Sequence, residues 1–149
     1  MKYALVFLLS LLLEATLLQT LFRPGFVAPD LLLIVLLARA YLLGRDAILW
    51  AIAGGTFLDL MTDTVGLHLT TEVLSVYLFL LLQERLLFRT ALTYILPSSF
   101  LLLLKKSLAY FIMRAKFSFE LSLGTFLLAW AFEVVLLFLL YFLYIRKKE

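Results

Sequence analysis

Residues 54–72 read GGTFLDLMTDTVGLHLTTE. In a chain otherwise rich in leucine and phenylalanine, this stretch holds three of the ten carboxylates (Asp59, Asp63 and Glu72), the only histidine (His68) and three of the six glycines. Long apolar runs flank it on both sides. Whether it is a reactive loop or a turn between two apolar helices therefore decides the fold.

The surrounding composition answers for the turn. The 149 residues are 65% hydrophobic and 15% charged, against about 45–50% and about 25% in ordinary soluble domains. That balance predicts a membrane protein. A hydrocarbon core about 30 Å thick takes about 20 helical residues to cross, so this length supplies at most about six or seven spans and no sizeable soluble domain. No cysteine is present, which removes disulfides, thiol catalysis and iron–sulfur ligation. One histidine cannot build an ordinary zinc site. The chain has no asparagine and two glutamines, a pattern that fits a thermophilic source and also lipid-facing helices. Its first residues carry the basic start and apolar run of a secretory signal, but Glu14 interrupts the run and no small-residue cleavage site follows, so the segment reads as a retained first helix.

Apolar runs and their breakers predict six helices, at 3–22, 29–43, 46–61, 69–88, 91–113 and 121–145. Arg23-Pro24-Gly25 ends the first. Pro29-Asp30 opens the second, with a carboxylate near the positive end of the helix. Gly44 occupies the usual capping place after it. The second and third runs, at about 15 residues, barely reach across a bilayer unless protein surrounds them. Neither a repeat nor a linker divides the chain, so residues 1–149 form one membrane domain. Basic residues near helix ends stay on the cytoplasmic side. With both termini inside, Lys2, Arg39, Arg45, Arg85, Arg89, Arg146, Lys147 and Lys148 are cytoplasmic, eight of the thirteen. The outer loops receive Arg23, Arg114 and Lys116. This topology puts the 54–72 turn at the outer face and leaves the basic excess without any implication of nucleic acid.

Charged side chains within the apolar runs cost at least about 2.5–3.5 kcal/mol each in hydrocarbon, so each needs a partner, water or a proton. Glu14 and Lys105 each lie eight residues from the outer end of their helices, about 12 Å down, and can meet if the first and fifth helices are neighbours. Lys106 points about 100° away from Lys105, so one lysine pairs inward and the other snorkels to the surface. Glu133 lies about 18 Å from either end of the sixth helix, with Arg39 or a proton as its candidate partner. Two readings stand for Glu14, Lys105, Lys106 and Glu133. They are a solute or proton pathway or polar seam, or a buried structural pair that fixes helix register.

Within the opening stretch, Gly54-Gly55 follow Ala47, Ala51 and Ala53, and such small residues let another backbone come close. Thr56, Asp59 and Asp63 recur at helical spacing and share a face if the helix reaches Asp63. Glu72 falls at the first turn of the fourth helix, where it complements the dipole and caps together with Thr70 or Thr71. Asp59, Asp63 and Glu72 are sparser than an oxygen-ligand calcium loop. No phosphate loop, dinucleotide fingerprint, nucleophile elbow or zinc-protease helix occurs. No catalytic, metal-binding or cofactor-binding residue is expected.

Pro29 to Leu32, then Gly54 to Leu60 with its Gly-x-x-x-Asp-Leu pattern from Gly55, then Val65 to Leu67, resembles the MreD family of bacterial rod-shape-determining membrane proteins. The motifs cover about residues 29–67 and the topology the whole chain. The resemblance implies a non-enzymatic inner-membrane component of the machinery that elongates the cell by lateral peptidoglycan synthesis. It implies MreC as direct partner, with a glycosyltransferase–transpeptidase pair and the MreB filament reached indirectly. It also implies a fold similar to the six-helix substrate-binding subunits of energy-coupling-factor vitamin transporters, and such a subunit is the alternative function, with Trp130, Tyr110 and the Glu14–Lys105 pair as candidate substrate contacts. Pro29, Asp30, Gly55, Asp59 and Gly66 match the family pattern. Together with Gly54, Asp63 and Glu72 they are the candidates for shaping the bundle or meeting the partner. The two membrane lysines depart from that pattern.

Overall fold

The computed structural model describes residues 2–18, 28–64, 66–85, 90–116 and 122–146, and among them the chain is entirely helical. Helix α1 (Lys2–Leu13) continues into a π-helical turn at Glu14–Leu18. It is followed by α2 (Leu31–Leu43), α3 (Asp46–Thr62), α4 (Leu67–Arg85), α5 (Ala91–Lys116) and α6 (Leu123–Leu140), the last running into a second π-helical turn at Tyr141–Ile145. Each helix expected from the sequence has its counterpart. The expected break at Arg23-Pro24-Gly25, the turn residue Val65, and Arg89, Lys147 and Lys148 lie outside the described residues.

The boundaries follow local chemistry. Asp30 is the N-cap of α2, its Oδ1 accepting the Leu33 N–H at 2.9 Å, so Pro29 stands just before the helix. Gly44 closes α2 at φ +67°, its N–H donating to the Ala40 carbonyl, a conformation that L side chains adopt only at a cost. Helix α3 stops at Thr62 because Asp63 turns left-handed, with φ 54°. The Asp59 carbonyl accepts from both the Asp63 and the Thr64 N–H. Asp63 is therefore exposed beyond the helix and does not share the face of Thr56 and Asp59.

Helix α2 is the centre of the bundle. Seven of its thirteen residues are buried, and it touches all five other helices. At about 1.5 Å per residue it is about 20 Å long, well short of a hydrocarbon core. Most of its apolar side chains pack against protein, with Leu43 at its end exposed. Two segments, Ala91–Ile112 (22 residues) and Leu123–Leu143 (21 residues), are long and apolar enough to cross a membrane. Ala4–Leu18 and Leu31–Leu43 are apolar but shorter. Length and apolarity thus qualify two helices among the described residues, where the sequence predicts six spans. Helices α3 and α4 carry Asp46, Asp59, Glu72, Glu84 and Arg85, which dilute their apolar character.

The distribution of polarity is inverted relative to a soluble bundle. Leu60 is 79% exposed, and Leu5, Leu49, Phe111, Leu123 and Leu143 are exposed as well, while Glu14, Asp30, Glu72, Lys105, Lys106 and Glu133 are all buried. Lys and Glu are almost never fully buried unless paired, so the interior must supply partners.

Candidate functional site

The polar interior is organised around the first turn of α2. A helix begins with N–H groups that have no partner within the helix, and burying them unsatisfied is costly. Here three carboxylates take them. Glu133 of α6 accepts the Asp30 N–H through Oε1 at 2.6 Å, Glu14 of the π-helical turn accepts the Leu32 N–H through Oε2 at 2.8 Å, and Asp30 itself accepts from Leu33. The positive end of the helix dipole favours negative groups at this point.

Two lysines of α5 counter those carboxylates. The Lys105 Nζ donates to Asp30 Oδ2 and to Glu72 Oε1. The Lys106 Nζ lies 3.0 Å from Glu133 Oε1 and donates to the Ala28 carbonyl at 2.6 Å. The residues before and after Pro29, itself buried, are thereby clamped between α5, α6 and the end of α1.

Several sequence expectations change here. Glu14 and Lys105 do reach the same polar centre, but they form no ion pair with each other, because α2 interposes its first turn and takes the Glu14 carboxylate. Lys106 does not snorkel; it is 3% exposed and bonded inward. Glu133 pairs with Lys106 and not with Arg39, whose guanidinium stacks 4.2 Å above the Trp50 ring. Glu72 is neither a cap nor solvated. Helix α4 begins at Leu67, which carries Glu72 into the second turn, where it is fully buried against Lys105.

The cap of α4 comes from Asp59 of α3. Its Oδ1 accepts the His68 N–H and the Thr64 hydroxyl, and its Oδ2 accepts the Leu69 N–H, at 2.8 to 2.9 Å. This reach requires the end of α3 to lie against the start of α4. Gly55 permits it, since a Cβ there would stand 2.6 Å from the Leu69 Cα and 2.9 Å from its nitrogen. Gly54 faces the other way, and its Cβ would meet Leu32 at 2.9 Å and Phe7 at 3.1 Å, both side-chain atoms. Gly66, at φ +73°, makes the turn into α4 and has open space around it.

The burial of Lys106, Glu72 and Glu133 had a signal in the spacing. Glu72 shares a stripe with Ser75, Val76 and Phe79, and Glu133 with Phe126, Ala129 and Leu137. Leu101, Leu102, Lys105, Lys106 and Ala109 form the buried stripe of α5. In each case the charge falls where the helical period puts the core.

A further grouping joins α1 to α4. Donor atoms of Glu14, His68 and Glu72 lie within 4.8 Å of one another. Glu72 Oε2 and His68 Nδ1 are buried without a hydrogen-bond partner.

The comparisons with known proteins are sparse. The chain is 25% identical over 138 residues to an uncharacterised protein of Aquifex aeolicus (strain VF5), covering 92% of this chain and 88% of that one. No protein-family model matches, and no solved structure does.

Proposed function

We propose that this chain is a non-enzymatic, multi-pass scaffold of the bacterial inner membrane, of the MreD type, with both termini cytoplasmic. It binds MreC and through it supports lateral peptidoglycan synthesis and rod shape, touching the glycosyltransferase–transpeptidase pair and the MreB filament only indirectly. The observation that carries the reading is where the family-pattern residues fall. Pro29 and Asp30 make the clamped start of α2, while Gly55, Asp59 and Gly66 make the close joint between α3 and α4. A pattern spent on two helix starts is what a shape-defining scaffold needs.

The membrane setting is supported by the apolar exterior, the buried charges and the two helices of crossing length. Lipid replaces the water that would otherwise face Leu60, Phe111 and Leu143, and the polar groups find partners inside because none exist outside.

The test is co-purification in detergent with the MreC of the same organism. Retention through gel filtration is expected, and a well-folded chain that releases MreC sinks the assignment. The vitamin-transporter alternative has less support, because its candidate aromatic contacts are engaged elsewhere. The Trp130 Nε1–H donates to the Ser99 carbonyl and the Tyr110 hydroxyl accepts from Arg114. A small molecule carried through purification, or association with an ATPase module, would favour it instead.

A further inference from the structure

We propose that Glu14, His68 and Glu72 bind one divalent transition-metal cation, of which Zn2+ is the model, in a carboxylate-rich site unlike the ordinary zinc site built on several histidines or cysteines. The site goes beyond the scaffold reading and does not depend on it.

Charge comes first. The interior holds four buried carboxyl groups, on Glu14, Asp30, Glu72 and Glu133, and two buried ammonium groups, on Lys105 and Lys106. Ionising all four carboxyl groups against two ammoniums would leave two negative charges uncompensated, a deficit that one divalent cation closes. Uncompensated charge in a low-dielectric interior is severely unfavourable.

Position comes second. The donors of Glu14, His68 and Glu72 already converge within 4.8 Å. A tetrahedral ion with bonds of about 2.0–2.1 Å needs donors about 3.4 Å apart, so side-chain rotations closing the separations by at most about 1.4 Å complete the set. Two carboxylates and one imidazole suit a cation of intermediate softness.

Unused bonding capacity comes third. Glu72 is fully buried, yet its Oε2 has no hydrogen-bond partner, and neither has the buried Nδ1 of His68. Native interiors rarely leave such atoms idle. The other oxygen of Glu72 is bonded to Lys105, whose charge is already met by Asp30 and that same oxygen, so the ammonium does not require Oε2. Glu14 sits on a π-helical turn, a local widening that is frequent at functional sites.

The experiment uses the full chain in detergent, stripped with EDTA and titrated with ZnCl2. About one ion per chain is expected after gel filtration, together with a rise in the unfolding temperature, since a ligand held by the folded state stabilises it. His68→Ala is expected to weaken binding by at least the roughly tenfold that even an outer-shell partner is worth, and Glu72→Gln likewise. Asp63→Asn, which removes an exposed carboxylate in the same turn and keeps a side chain that tolerates the left-handed backbone, is expected to bind as the unmodified chain does. X-ray absorption of the Zn2+-loaded unmodified chain needs no variant and is expected to show one imidazole among oxygen ligands. Binding well below one ion per chain, equal binding by His68→Ala, or a spectrum lacking imidazole overturns the site. The first of these outcomes would mean that two protons supply the missing charge.

Discussion

Helices α2 and α4 begin by the same device in opposite surroundings. In each, carboxylates take the first N–H groups, and most of those carboxylates belong to other helices: Glu133 and Glu14 for α2, Asp59 for α4. The start of α2 is buried, and its carboxylates require the lysines of α5. The start of α4 is half-buried, and Asp59 manages with backbone N–H groups and the Thr64 hydroxyl. The difference teaches that a carboxylate cap needs no counter-ion near the surface, whereas a buried one draws in a whole ion-pair system.

The largest effect is expected at the buried start. Lys105→Met removes the ammonium that bridges Asp30 and Glu72 and leaves the two carboxyl groups facing each other in the core with no cation between them. Breaking a buried pair in this way costs about 3–5 kcal/mol, read as a loss of folded protein in thermal unfolding in detergent. The triple change Lys105→Met, Asp30→Asn, Glu72→Gln is expected to recover much of it. If the single variant is as stable as the unmodified chain, the ion-pair system is not what holds α2.

An intermediate effect is expected at the joint that lets Asp59 reach α4. Gly55→Ala drives a methyl into the Leu69 backbone, which cannot rotate away, whereas Gly54→Ala meets only the ends of Leu32 and Phe7. Overpacking typically costs about 1–3 kcal/mol, so Gly55→Ala belongs at the upper end and Gly54→Ala at the lower. Equal stabilities for the two variants would show that α3 and α4 can slide apart at no cost.

The smallest effect is expected at the half-buried cap. Asp59→Ala removes one N-cap, worth about 0.5–2 kcal/mol, and leaves membrane insertion unchanged. Hydrogen exchange should quicken at His68 and Leu69 while the amides of Leu32 and Leu33 stay protected. Loss of protection at both starts would mean that the two are one cooperative unit.

Much of the fold is legible because long apolar runs broken by turn residues have few readings. Apolar runs, Pro29, Gly44 and Gly66 mark helices and turns through backbone rules that hold whatever the tertiary structure. The close approach at Gly54-Gly55 was equally readable from missing side chains. The partners of the charges were less so. Depth along a helix brought Glu14 and Lys105 to one level but could not say that the first turn of α2 would stand between them. A helix that starts at residue 69 puts Glu72 in its first turn; the Asp59 cap, formed between helices, starts it at Leu67 and carries Glu72 into the second. Lys106 and Glu133 lay on core stripes, yet the usual preference of lysine for the surface concealed their pairing. The distance between single helical positions is local information, and ion-pair choice is not.

The central position of α2 has a consequence for biogenesis. Asp30 leaves the ribosome 75 residues before Lys105, and Glu133 follows the Pro29-Asp30 segment by more than a hundred. The middle of the bundle is therefore made first and secured last. Until α5 and α6 are made, Lys105, Lys106 and Glu133 are absent, so the first turn of α2 is completed only when the two later helices reach it.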